Sequence, residues 1–173
     1  MTAKNPQSGY TLIETLIYAA ILASLSIFVA NTIILAFASF NKARLDRRVV
    51  IDAETVLERI ARESRTASSV DEVQSILGLN PSKLVLNSVV SPEDDTAITR
   101  QFFVSGGRLA FQEGSGEARF LTSPGSSVSS FVVSKSDTLR SQAVKVSLTL
   151  EAESGRNQTV RSFYVSAVLR GGY

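Results

Sequence analysis

One carboxylate stands where a carboxylate is expensive. Glu14 opens a run, residues 15–40, that holds no charged side chain and takes its bulk from Leu16, Ile17, Ile21, Leu22, Leu25, Ile27, Phe28, Val29, Ile33, Ile34, Leu35 and Phe37. A membrane-crossing helix needs about 20 mostly apolar residues, so this run is long enough to span. A charge inside a span costs roughly 2.5–3.5 kcal/mol at its centre on insertion scales, less at its edge, and is functional by default. The other chemistries are thinly provided for. The chain has no cysteine and no histidine, which removes disulfides, thiol nucleophiles, imidazole metal sites and imidazole acid–base catalysis together. No nucleophile elbow, phosphate loop or zinc spacing is present. Glu93-Asp94-Asp95 offers hard oxygen ligands after Pro92, but without the spaced ligands of a calcium loop it reads as a solvated turn. The serines of 123–136 read as loop and strand edge. No catalytic residue, cofactor or metal is expected, and the chain is not read as an enzyme.

The residues ahead of the run sharpen the reading. Ser8-Gly9-Tyr10-Thr11-Leu12-Ile13-Glu14 resembles the N-terminus of type IV prepilins and pseudopilins, whose pattern is a short basic leader ending in Gly, an aromatic, Thr, Leu, Ile or Val, Glu, and a long apolar helix. Here the leader would be residues 1–9, with Lys4 as its charged side chain, and Tyr10 takes the place usually held by Phe. The resemblance implies that a prepilin peptidase cuts after Gly9 and methylates the new amine of Tyr10. It also implies that Glu14 pairs with the N-terminal amine of a neighbouring subunit during assembly. The implied partners are other pilin or pseudopilin subunits, the peptidase and an inner-membrane assembly platform.

A physical reason for Glu14 follows. Cleavage at Gly9 would leave a cation one helical turn before the carboxylate. In a low-dielectric bundle an opposite charge nearby is strongly favourable and a lone charge is costly. A pair between subunits would set the axial register of neighbouring helices. A secretory signal peptide explains the run less well, because its apolar region spans about 7–15 residues, although Ala36-Phe37-Ala38 offers a small-x-small site. A plain one-pass anchor explains the length but not the glutamate. A buried core helix rarely runs so long without polar breaks.

The elements that must carry these residues read as follows. One helix is expected from about Tyr10 to about Ser68, roughly 90 Å at 1.5 Å per residue, ended by Thr66-Ala67-Ser68-Ser69. Its second half is amphipathic. Leu45, Val49, Ala53, Val56, Leu57, Ile60 and Ser64 form the apolar stripe, and Arg47, Arg48, Asp52, Glu54, Glu58, Arg59, Arg62 and Glu63 are expected on solvated faces, with Glu58–Arg62 as a stabilising pair. A short helix over 70–79 is expected, capped by Ser69. From Lys83 the period drops to two, with strands expected at 83–89, 98–105, 108–112, 118–121, 128–135, 142–153 and 159–169. Gly106-Gly107 is a hairpin turn, and 113–116 and 154–157 are loops of that kind. Val144, Val146, Leu148 and Leu150, with Phe163, Val165, Ala167 and Leu169, should face the helix. The expected fold class is α+β, one long N-terminal helix, half transmembrane and half amphipathic, packed on a mainly antiparallel sheet, and the resemblance implies that this is a pilin fold.

The domain plan is a leader (1–9), a transmembrane and assembly helix (10–41), an amphipathic half (42–69) and a β-rich head (70–173). Residues 57–65, the stretch Phe102-Phe103-Val104 before Gly107-Arg108-Leu109, and the ending Val168-Leu169-Arg170 resemble J-type minor pseudopilins and W-type minor pilins. Family major subunits often carry a Pro or Gly within the apolar half of the helix, whereas residues 11–77 hold neither. That departure favours a minor subunit. The implied location is a single-pass membrane protein with an extracytoplasmic head, later a pilus or pseudopilus filament of the bacterial envelope. Net charge is +2 and argues for no partner. Lys42, Arg44, Arg47 and Arg48 make the downstream flank the more basic, so loop charge alone would place the head in the cytoplasm. A head that binds DNA or a surface is the alternative, and would need Arg100, Arg108, Arg119, Arg140, Lys145, Arg156 and Arg161 gathered in one patch. An anchored domain of other activity would need a polar pocket with converging titratable groups.

Overall fold

A computed structural model describes residues 11–91, 94–137, 142–155 and 157–169. The chain divides into two compact units, Met1–Phe40 and Asn41–Tyr173. A single α-helix, α1 (Leu12–Thr66), contributes to both. The absence of Pro and Gly lets it run unbroken. It ends where Thr66 Oγ1 turns back to the Glu63 carbonyl at 3.1 Å and Ser68 N–H leaves to the Asn87 carbonyl at 2.8 Å.

In the second unit the alternating stretches become strands: β1 (Ser69–Val70), β2 (Lys83–Ser91), β3 (Asp94–Ser105), β4 (Arg108–Glu113), β5 (Arg119–Phe120), β6 (Ser127–Asp137), β7 (Gln142–Ser154) and β8 (Asn157–Val168). They form two antiparallel sheets, β1-β2-β3-β4-β5 and β6-β7-β8. With the helix they make the expected α+β architecture, a long N-terminal helix whose later part lies on antiparallel sheet, as in a pilin-like fold. Gly106 and Gly107 have φ of 55° and 73° between the paired residues Ser105 and Arg108. Two consecutive positive φ values define the hairpin turn that glycine tolerates best.

One core joins the parts. Leu45, Val49, Ala53, Val56 and Ile60 of α1 are buried with Leu84, Leu86, Phe102 and Leu109 of the first sheet and Phe131, Val146, Leu148 and Leu150 of the second. The inward row of β7 is the one its alternation marks, and Ala167 and Leu169 join it, with Phe163 and Val165 partly buried.

Three expectations need correction. Residues 70–79 form no helix. Asp71 Oδ1 accepts the N–H groups of Val73 and Gln74 at 3.0 Å in a single local turn, and Ile76 then bridges to Lys83. Further on, Gly78 N–H donates to the Val133 carbonyl and Ser82 N–H to the Phe131 carbonyl, both at 2.8 Å. The segment thus runs first along the edge of β2 and then along the edge of β6. Ladder partners for its backbone outcompete a helix that would bury little, since Val73 and Leu79 are exposed.

The second correction concerns the charged residues of the helix. Asp52 and Glu63 are buried, not solvated. The third follows from it: the helical i,i+4 ion pair is Arg59–Glu63 at 2.7 Å, rather than Glu58–Arg62.

Candidate functional site

Gly9 and Tyr10, the expected processing site, lie outside the described residues, as do Glu93, Arg140 and Arg156. Glu14 is described. It sits in the first turn of α1, where a carboxylate is favoured by the unpaired N–H groups of the helix start. Thr11 caps that turn: Glu14 N–H donates to Thr11 Oγ1 at 3.3 Å and to the Thr11 carbonyl at 3.0 Å. The pattern Thr11-x-x-Glu14 is a capping-box sequence. The carboxylate itself turns the other way, toward Tyr18, whose hydroxyl donates to Glu14 Oε1 at a long 3.3 Å. A weak neutral contact leaves most of the acceptor capacity of Glu14 open to a cation.

Around that carboxylate the surface is apolar. Sixteen large hydrophobic side chains between Leu12 and Phe40 are exposed, from Val29 at 47% to Leu12 at 83%. Burying such side chains contributes about 2 kcal/mol each, roughly 30 kcal/mol together, against a typical domain stability of about 5–15 kcal/mol. Water is therefore a costly medium for such a surface. The most apolar part of α1 is nowhere buried, and the helix is long and apolar enough to cross a membrane. Four hydroxyls of the run are satisfied inside the helix: Thr15, Ser24, Ser26 and Thr32 donate to the carbonyls of Leu12, Ile21, Leu22 and Phe28 at 2.8–2.9 Å. That is how a lipid-facing helix accommodates polar side chains. Asn31 differs. Its amide is exposed in the middle of the run and makes no hydrogen bond among the described residues.

Tyr18 and Asn31 were both missed by sequence reasoning. The i+4 spacing from Glu14 and the lone amide in an apolar run were the available signals.

In the head, buried charges hold α1 to the sheets. Glu63 Oε1 lies 2.7 Å from Arg59 Nε, and Glu63 Oε2 lies 2.9 Å from Arg100 Nη1. Arg100 Nε lies 3.0 Å from Glu113 Oε1, and its Nη1 donates to Ser88 Oγ at 3.1 Å. The Arg59 guanidinium also sits 4.6 Å over the Phe111 ring. On the other flank Ser123 N–H and Oγ donate to Asp52 Oδ2 at 3.2 and 2.6 Å. Lys135 contacts Glu72 and lies 2.8 Å from Asp137. Its ammonium is held above the usual lysine range by the hydrogen bond to Asp137 and then by that to Glu72, against a smaller opposing effect of burial.

The described members of the DNA-patch set are not brought to one face. Arg100 is committed to Glu63 and Glu113. Arg108 donates to the Thr122 carbonyl and lies 4.2 Å over the Phe120 ring. Arg161 faces Asp46 at 3.5 Å, while Lys145 stands on the opposite face of that sheet. Arg119 is exposed at β5.

An open groove of about 780 Å³ lies between α1 and β8. Leu57, Ala61 and Val165 line it beside Tyr164, with Glu58 and Arg62 among its charged residues. No group of three or more Asp or Glu able to hold a metal ion occurs among the described residues. Comparison of the chain with family models, curated proteins and solved structures finds no match to any of them.

Proposed function

We propose that this chain is a prepilin-type subunit, most like the minor subunits of a type IV pilus or a secretion pseudopilus. A membrane peptidase processes it after Gly9, and it assembles through its N-terminal helix. The observation that carries the reading is Glu14: a carboxylate in the capped first turn of a helix whose apolar surface has no partner among the described residues. Support comes from the run Gly9-Tyr10-Thr11-Leu12-Ile13-Glu14 before it and from the α+β head after it. The amine freed at Tyr10 is the cation that the carboxylate lacks. In the membrane or the filament core, Glu14 of one subunit meets that amine on the next and fixes their axial offset. Until assembly the helix anchors the subunit, with its head on the extracytoplasmic side.

Two variants test it. Gly9→Ala should accumulate a form nine residues heavier than the mature chain, and normal maturation of that variant overturns the reading. Glu14→Ala should still be processed, because the cut lies upstream, yet enter filaments poorly. Filaments at the native level would remove the pairing role.

A further inference from the structure

The stretch of α1 that begins the second unit carries positive charge that no described residue answers with an ion pair. Lys42, Arg44, Arg47 and Arg48 fall within seven positions, all exposed. Among the described residues none of them makes an ion pair. The one acid in the stretch, Asp46, is 3.5 Å from Arg161. Arg48 lies across Gly125, where a Cβ would stand 2.1 Å from its Nη1. Lys42, Arg44 and Arg47 have no such seat. Leu45 and Val49 are buried against the head, and at 100° per residue Arg44 and Arg47 point away from that side of the helix. Like charges three and four positions apart repel by about 0.2–0.5 kcal/mol, a repulsion that a bound anion would relieve.

We propose that this basic collar binds the phosphate headgroups of anionic phospholipids. The proposal rests on the membrane reading above and deepens it. The sequence location argues for lipid: Lys42 follows the last large apolar residue, Phe40, by two positions, and basic clusters next to a span bind anionic headgroups. Guanidinium groups suit phosphate oxygens, which they engage in pairs. The collar also gives a role to charge that, by the loop-charge rule alone, would favour a cytoplasmic head. Bound lipid would hold the start of the head at the membrane surface until the subunit leaves for a filament.

The test uses the full chain in phosphatidylcholine vesicles containing a minor fraction of phosphatidylglycerol, probed by electron spin resonance of spin-labelled lipids. The native chain should associate with labelled phosphatidylglycerol over labelled phosphatidylcholine by about fivefold or more, the factor for one engaged basic side chain. The triple variant K42Q/R44Q/R47Q should lose that preference, as should the native chain at high salt. The variant R119Q/K145Q, with equally exposed charges elsewhere, should keep it. Equal association of the two lipids with the native chain overturns the proposal, and so does a preference that survives in the triple variant. If inorganic phosphate abolishes the preference where chloride at equal ionic strength does not, the collar is a free-anion site and the lipid proposal falls. If lipid preference is absent but the triple variant loses cross-linking to a second copy, the collar docks on protein, which also overturns it. A chain that fails to float with vesicles removes the membrane reading as well. A chain that floats without lipid preference removes only this inference.

Discussion

Glu63 and Arg100 offer the sharpest energetic test of how the helix is held to the head. The carboxylate is 9% exposed and the guanidinium 13%, with 2.9 Å between Oε2 and Nη1. Unit charges about 4 Å apart at an effective dielectric near 20 attract by about 4 kcal/mol, and losing one partner of a buried pair costs about 3–5 kcal/mol. Both residues retain a second partner, Arg59 at 2.7 Å and Glu113 at 3.0 Å. Glu113 is 46% exposed, so its compensation is screened. Glu63→Gln and Arg100→Gln should therefore each cost about 2–3 kcal/mol, lowering the melting temperature by roughly 6–12 °C for a head of this size. The double variant should cost less than the sum of the singles by about 2 kcal/mol, because the two most buried charges go together and the partners left behind, Arg59 and Glu113, are 35% and 46% exposed. Thermal unfolding of the full chain in detergent, followed by circular dichroism, measures all four corners of the cycle. Singles that melt within about 2 °C of the native chain, or that add without coupling, would refute the claim that this pair clamps α1 to the first sheet.

Three further outcomes are expected. Asp52→Ala leaves the Ser123 N–H and hydroxyl without their acceptor, at a cost of about 1–3 kcal/mol; amide exchange at residues 123–126 should quicken, and unchanged protection there counts against the contact. Lys135 has a folded-state pKa raised above 10.5 by Asp137 and Glu72. Its contribution to stability is thus complete below pH 10.5 and lost as pH rises through the folded value. Melting temperatures taken from about pH 9 to about pH 12 should fall less steeply in Lys135→Met than in the native chain, and parallel curves would contradict the assignment. Asn31→Leu should weaken helix association in bilayers by about 0.6–2 kcal/mol, roughly 3- to 30-fold, read by energy transfer between labelled chains; unchanged transfer would place the contact elsewhere on the helix.

The parts of the fold that a repeating pattern encodes were legible from residue order alone. Val144, Val146, Leu148 and Leu150 alternate strictly and are buried together, and Gly106-Gly107 marks its own hairpin. The unbroken helix follows from the lack of Pro and Gly between 11 and 77. What a pattern does not encode was lost. Ser69–Val70 is too short for any period, and the division of the strands into two sheets depends on which edges meet. Residues 70–79 carry helix-compatible side chains but spend their backbone groups on β2 and β6. Asp52 and Glu63 were assigned to solvent by residue type, although Asp52 falls three positions after Val49 and four before Val56, on the buried stripe. Their partners, Ser123 and Arg100, are distant in the chain, and no spacing rule reaches them. At the candidate site Glu14 was legible because it is the one carboxylate beside an uncharged run, whereas Tyr18 needed the helix geometry to bring it within reach.

The measurement closest to the central claim is the intact mass and N-terminal sequence of the chain extracted from the envelope of its own host. The account predicts a chain that begins at Tyr10, with one added methyl group on the amine, and that co-purifies with filaments through Glu14. A chain that keeps Met1 through Gly9 and is found in no filament would contradict it.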